Sequence, residues 1–191
     1  MALTNFQIED LAQRMNIPLV FCGFKSDLKD EKPLQYNKSY IVNLEDEFDN
    51  DGQPNDGSHW VCFQVNKYPN GKVEPFYFDS YGVGCPKEVE EFTGMSMPFQ
   101  KKDLQSIVAE VCGYYCLALL HFVNASPARS GHLYSDCEAF VDLFDDLSES
   151  RDHLKNEWIL KQFFQSSDKS KRKDIEIGGG TTEFYSNRDG K

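Results

Sequence analysis

Apolar positions along the chain fall into a series of short runs with different periods. Near the start, Ile8, Leu11 and Met15 recur on one helical face behind a capping-box pair, Thr4 and Gln7, and Pro18 ends the segment. Ser39–Leu44 (SYIVNL) is largely apolar over a strand's length and predicts a short buried strand. His59–Asn66 (HWVCFQVN) and Val73–Asp79 (VEPFYFD) are rich in β-branched and aromatic residues. The segment between them, Tyr68-Pro69-Asn70-Gly71-Lys72, contains an Asn-Gly pair and predicts a hairpin. A short helix is expected from Pro86 to about Phe92, since proline suits a first helical turn, and another short strand within Phe99–Gln105. Gly113–Ala125 (GYYCLALLHFVNA) is the most apolar segment and predicts a central buried helix starting near Cys112. Amphipathic spacing predicts two closing helices, Asp136–Leu147 and Asp152–Phe164. This order of helix, strands, central helix and further helices makes residues 1–165 an α+β domain.

From Ser166 the pattern stops. The segment 166–191 is polar, interrupted by glycines and almost without aliphatics, so it cannot repay its ordering entropy and reads as a flexible tail. A second polar stretch, Glu45 to Asp56, holds six carboxylates and no cation. Its Asp49, Asp51 and Gly52 partly match a calcium loop, but position twelve would be Ser58 rather than Glu and strands flank it. It reads as a solvated loop.

Charge narrows the function classes. Thirty-one acidic against twenty basic residues give a net charge of −11, which argues against a body that coats nucleic acid. With no membrane-length apolar run and no signal-peptide pattern, the expectation is a soluble protein made in the cytosol, with no membrane association. In that setting the sequons at Asn37 and Asn124 go unused, and the six cysteines are expected as free thiols. One of them could be a nucleophile.

His59, Asp79 and Cys112 are the residues to consider together. A tight hairpin brings the start of its first strand beside the end of its second, and so His59 beside Asp79. A carboxylate there can fix the tautomer of the imidazole and stabilise its protonated form. Cys112, at a helix N-terminus, would have its thiolate favoured by the helix dipole and by free N–H groups, and Gly113 allows close backbone approach. Cys116 lies one turn further on, inside the helix, and reads as core together with Cys62. Cys22, Cys85, Cys137, His121, His132 and His153 have no assignable chemical role.

Gly57-Ser58-His59-Trp60-Val61, Tyr77-Phe78-Asp79-Ser80-Tyr81-Gly82, and Gln105 seven positions ahead of Cys112-Gly113-Tyr114-Tyr115-Cys116 resemble the adenovirus-type maturation cysteine proteases. The likeness is to those of virophages and Polinton-like elements, in the clan that also holds the Ulp-type SUMO proteases, and spans about residues 5–165. It implies a papain-like fold of the adenain/Ulp type, a small mixed sheet packed against a central nucleophile-bearing helix and further helices. It implies Cys112 as nucleophile, His59 as general base, Asp79 as the residue orienting the imidazole, and Gln105 as a side-chain oxyanion donor beside the Cys112 N–H. Trp60 and Gly113 would border the substrate. The third position is Asp, as in the Ulp branch, where the adenoviral enzymes carry Glu.

The implied activity is an endopeptidase that trims capsid precursor proteins at glycine-containing sites, with no metal or other cofactor. The expected setting is the host-cell cytoplasm or a virus factory, with packaging in the virion. A monomer is expected, and a peptide activator is open. Only Lys169–Lys173 (KSKRK) could hold a polyanion, so a DNA cofactor is not expected. An Ulp-type isopeptidase would use the same residues. A zinc-stabilised binding module built on His59, Cys62, Cys112 and Cys116 is disfavoured, because residues three apart on a strand point to opposite faces. By the same resemblance, Ile177-Gly178-Gly179-Gly180 is a candidate self-processing site, cut between Gly180 and Thr181, though a plain flexible extension is the simpler reading.

Overall fold

The computed structural model describes residues 2–53, 57–106, 108–125, 131–148 and 153–165. The tail from Ser166, with Gly180 and Thr181, lies outside the described residues. Along the chain come α1 (Asn5–Arg14), β1 (Leu19–Phe24), a 3-10 helix (Lys25–Asp30), β2 (Ser39–Asn43), β3 (Trp60–Lys67) and β4 (Val73–Phe78). They are followed by α2 (Lys87–Thr93), α3 (Cys112–Asn124), α4 (Leu133–Val141) and α5 (His153–Gln162). The capping box starts α1: Thr4 Oγ1 accepts the Gln7 N–H at 3.3 Å, and Gln7 Oε1 accepts the Thr4 N–H at 2.9 Å.

The four strands form one mixed sheet in the order β1-β2-β3-β4, with β1 and β2 parallel and the other pairs antiparallel. Alternate side chains feed two apolar layers, as the period of a strand requires. Ile41, Cys62, Phe76 and Phe78 face a core completed by α1, α3, α4 and α5. Tyr40, Val42, Val61, Phe63 and Tyr77 face the opposite side, with Leu28 of the 3-10 helix and Val89 of α2. Helix α3 lies within the first layer, and ten of its 13 residues are buried, so its sequence is a continuous apolar run rather than a stripe. Among the described residues no helix is long and apolar enough to cross a membrane.

The β3–β4 hairpin forms as its Asn-Gly pair predicts: Gly71 has a φ of 83°, and the Tyr68 N–H reaches the Lys72 carbonyl at 2.9 Å. Other expectations need adjustment. Strand β1 follows Pro18, where no strand was predicted. Phe99–Gln105 is not a strand, since only Phe99 makes a bridge, to Tyr77. Its backbone instead packs against the turn after β4, where Gly82, at a φ of 69°, leaves no room for a Cβ beside the Lys101 carbonyl. Helix α4 begins before Asp136 and ends at Val141, well short of Leu147.

Candidate active site

The hairpin register sets the first half of the site. Cys62 pairs with Phe78. Continued outwards, the same register sets Val61 across from Asp79, Trp60 from Ser80 and His59 from Tyr81. The side chains meet accordingly. His59 Nε2 lies 2.8 Å from Asp79 Oδ1, and the His59 and Tyr81 rings are 4.7 Å apart at 35°. Asp79 is 1% exposed, and its Oδ1 also accepts the Tyr81 N–H at 2.7 Å. The Asp79 carbonyl receives the Gly82 N–H at 2.9 Å and Gln100 Nε2 at 3.0 Å, which fixes the turn that carries the carboxylate.

Helix α3 brings the second half. Its first residue, Cys112, accepts the Trp60 N–H on Sγ at 3.4 Å and hydrogen-bonds the His59 ring. With Nε2 occupied by Asp79, the sulfur has Nδ1 as its partner. The imidazole thus stands between a carboxylate and a thiol. Burial opposes its charge, but the hydrogen bonds and charges of Asp79 and Cys112 outweigh that, and its pKa rises from 6.5 to about 9. At the start of α3 the Tyr114 and Tyr115 N–H groups both reach the Val111 carbonyl, at 3.0 and 3.1 Å. The N–H groups of Cys112 and Gly113 therefore stand ahead of the first helical bond, where an anion at the sulfur would meet them.

Gln105 is 3% exposed and lies at the same edge. Its Oε1 accepts Ser80 Oγ at 2.9 Å, and its Nε2 donates to the Tyr81 hydroxyl at 3.0 Å and to the Ala109 carbonyl. Trp60 and Gly113 are both buried, and both face the Leu3 segment. The indole N–H of Trp60 donates to the Leu3 carbonyl at 2.8 Å. A Cβ on Gly113 would sit 3.3 Å from Leu3 Cδ1 and 3.4 Å from Ile8 Cδ1, so the missing side chain lets α1 and the Leu3 segment close over α3.

The other thiols are held away from such chemistry. Cys116 is fully buried and donates to the Trp60 carbonyl at 3.4 Å; burial, then Cys62, push its pKa well above the ordinary value. Burial likewise raises Cys137. Cys22 and Cys85 are pushed up to about 12 by burial and then by Glu9 and Glu90 respectively. Among the described residues no three His, Cys, Asp or Glu side chains gather as a metal site. His121 is tied to the Met15 carbonyl at 3.0 Å, and His132 to Glu74 at 3.1 Å.

Some positioning residues escaped the sequence reading. Asn43 is 2% exposed; its Oδ1 takes the Glu45 and Ser58 N–H groups at 3.0 and 3.3 Å and so shapes the approach to His59. A Cβ on Gly57, at a φ of 78°, would collide with the Asn43 side chain. Gln100 braces Asp79 from behind. A polar residue inside an apolar strand, as in SYIVNL, is the signal that could have singled out Asn43.

No protein-family model matches the chain, and no curated protein does. Solved structures similar to it include HopZ1a, crystallised in complex with IP6, and the ASFV pS273R protease. HopZ1a is 13% identical with a TM-score of 0.41, over 75% of this chain and 50% of that one. The ASFV pS273R protease is 19% identical with a TM-score of 0.39, over 75% of this chain and 68% of that one. The chain therefore spans half the length of HopZ1a. Neither likeness identifies a family.

Proposed function

We propose that this protein is a cysteine endopeptidase with Cys112 as nucleophile. The observation that carries the reading is the His59 ring held between Asp79 at 2.8 Å and the Cys112 thiol. His59 Nδ1 takes the thiol proton, and the sulfur attacks the scissile carbonyl carbon. The oxyanion that forms is stabilised by the Cys112 N–H and by the Gln105 side of the site. The imidazolium then protonates the leaving amine, leaving a thioester on Cys112. In the second half His59 takes a proton from water, whose oxygen attacks the thioester, and the acid departs as the thiol regains its proton. Asp79 holds the tautomer and balances the charge on the ring throughout.

The substrate class belongs to the same proposal. Cys112 is only 3% exposed, which favours a slender chain such as glycine on either side of the scissile bond. Together with the adenain-like residue pattern, this supports cleavage of a viral capsid precursor at glycine-containing sites during virion maturation. Co-expression with the major capsid protein of the same genome, followed by mass mapping of new termini, tests it. Cleavage should disappear in Cys112→Ala and persist in Cys116→Ala. New termini that survive Cys112→Ala would reject the assignment of the nucleophile.

A further inference from the structure

The amide of Gln105 is fully engaged within the protein. One N–H goes to the Ala109 carbonyl, the other to the Tyr81 hydroxyl at 3.0 Å, and Oε1 receives Ser80 Oγ at 2.9 Å. Because a carbonyl can only accept, the Ala109 contact fixes which end of the amide is nitrogen. No N–H of Gln105 is then left for an incoming substrate. Tyr81 is placed differently. Its hydroxyl accepts the Gln105 bond, and among the described residues it donates its own proton to no other group. The tyrosine is also fixed at both ends: its backbone N–H is 2.7 Å from Asp79 Oδ1, and its ring packs on His59 at 4.7 Å. It therefore spans the site from the imidazole to Gln105.

We infer that the Tyr81 hydroxyl, held by Gln105, is the side-chain donor to the oxyanion formed at Cys112, and that Gln105 is a positioning residue acting through it. A hydroxyl that accepts an N–H bond becomes a better donor, so the amide strengthens the bond that Tyr81 gives. Burial and then the nearby Cys112 charge raise the tyrosine pKa against the opposing Gln105 bond, so the hydroxyl keeps its proton at neutral pH. The inference rests on the proposed acyl transfer at Cys112.

Two reagents acting on the same sulfur test it on the full chain. The p-nitrophenyl ester of N-acetylglycine acylates a thiol through a tetrahedral oxyanion; iodoacetamide alkylates it by displacement at a saturated carbon, without one. Tyr81→Phe keeps the ring on His59 and removes only the hydroxyl. It should slow acylation of Cys112 by about 10²-fold and leave alkylation unchanged. Gln105→Ala should lose a comparable factor, and the double variant should lose no more than the worse single one. Acylation in Tyr81→Phe at the wild-type rate or faster overturns the inference, as does multiplication of the two losses in the double variant. Equal slowing of both reactions also overturns it, since Tyr81 would then only shape the thiol–imidazole pair. Failure of the underlying reading shows in the wild type itself: Cys112 acylated no faster than a thiol of the denatured chain removes the acyl transfer and this inference with it.

Discussion

His59 is where opposing effects on a single residue can be weighed. Burial alone would drive its pKa down, yet Asp79 and Cys112 lift it from 6.5 to about 9. A proton bound more tightly in the folded state stabilises that state. The contribution is complete below pH 6.5 and is lost as the pH climbs through about 9. The same shift keeps the ring protonated through neutrality, so that His59 gives up its proton only on the alkaline side. Removing the charge of Asp79 leaves burial as the dominant influence, with Cys112 and Tyr81 the remaining titratable groups at the ring. In Asp79→Asn the midpoint of His59 deprotonation should therefore move from about pH 9 towards neutrality. An NMR titration of the His59 ring protons reads this directly, and a midpoint that stays at about pH 9 would show that Asp79 does not support the imidazolium.

Among the secondary-structure elements, the link between the hairpin and α4 shows what local sequence reveals and what it hides. The hairpin is legible because Asn70-Gly71 dictates its turn, and α3 because its apolar run is too long for a strand. Strand β1 is harder to see: LVFCGF at an edge is mostly half-buried, so it shows no clean alternation. The start of α4 is hidden for a different reason. His132 caps it without a side-chain hydrogen bond, and the capping carboxylate comes from β4. Glu74 Oε2 accepts the Leu133 N–H and the Tyr68 hydroxyl, each at 2.8 Å, while Oε1 meets His132 at 3.1 Å and Lys72 at 2.5 Å. Burial would raise the Glu74 pKa, but Lys72, Tyr68 and His132 outweigh it and hold it at about 2 against 4.5. Its stabilising contribution is present above pH 4.5 and disappears as the pH falls through about 2. Glu74→Gln should cost about 1.5–3 kcal/mol at neutral pH, the range for a hydrogen bond to a charged group. Urea unfolding of both proteins should show the gap closing between pH 4.5 and 2; a gap independent of pH would mean that the charge contributes nothing.

Across the whole molecule, segments distant in sequence converge on the residue before Gln105. The Leu104 N–H donates to the Ser80 carbonyl at 2.8 Å. The Leu104 carbonyl receives the Tyr115 hydroxyl at 2.9 Å from α3 and Asn156 Nδ2 at 3.1 Å from α5. His59, Asp79 and Cys112 stand out in the sequence because their side chains carry acid–base and nucleophilic chemistry at a hairpin edge and a helix start, and Gln105 stands out only through the family resemblance. Asn156 does not, because an asparagine in NEWILKQFF reads as a solvent-facing position until tertiary packing buries it completely. There its amide closes on Asp145, taking the N–H on Oδ1 at 2.8 Å and giving Nδ2 to the carbonyl at 2.8 Å. Asn156→Ala would strand those backbone groups at about 1–3 kcal/mol each and loosen the anchor beneath Gln105. The hairpin and α3 hold His59, Asp79 and Cys112 independently of it. The variant should therefore unfold at lower urea, keep the wild-type rate of Cys112 alkylation, and lose rate in acylation by the nitrophenyl ester, where the Gln105 side of the site is needed. A variant within about 0.5 kcal/mol of the wild type would show that this buried amide carries no load. Equal loss in both reactions would place its effect on the thiol–imidazole pair rather than on the Gln105 segment.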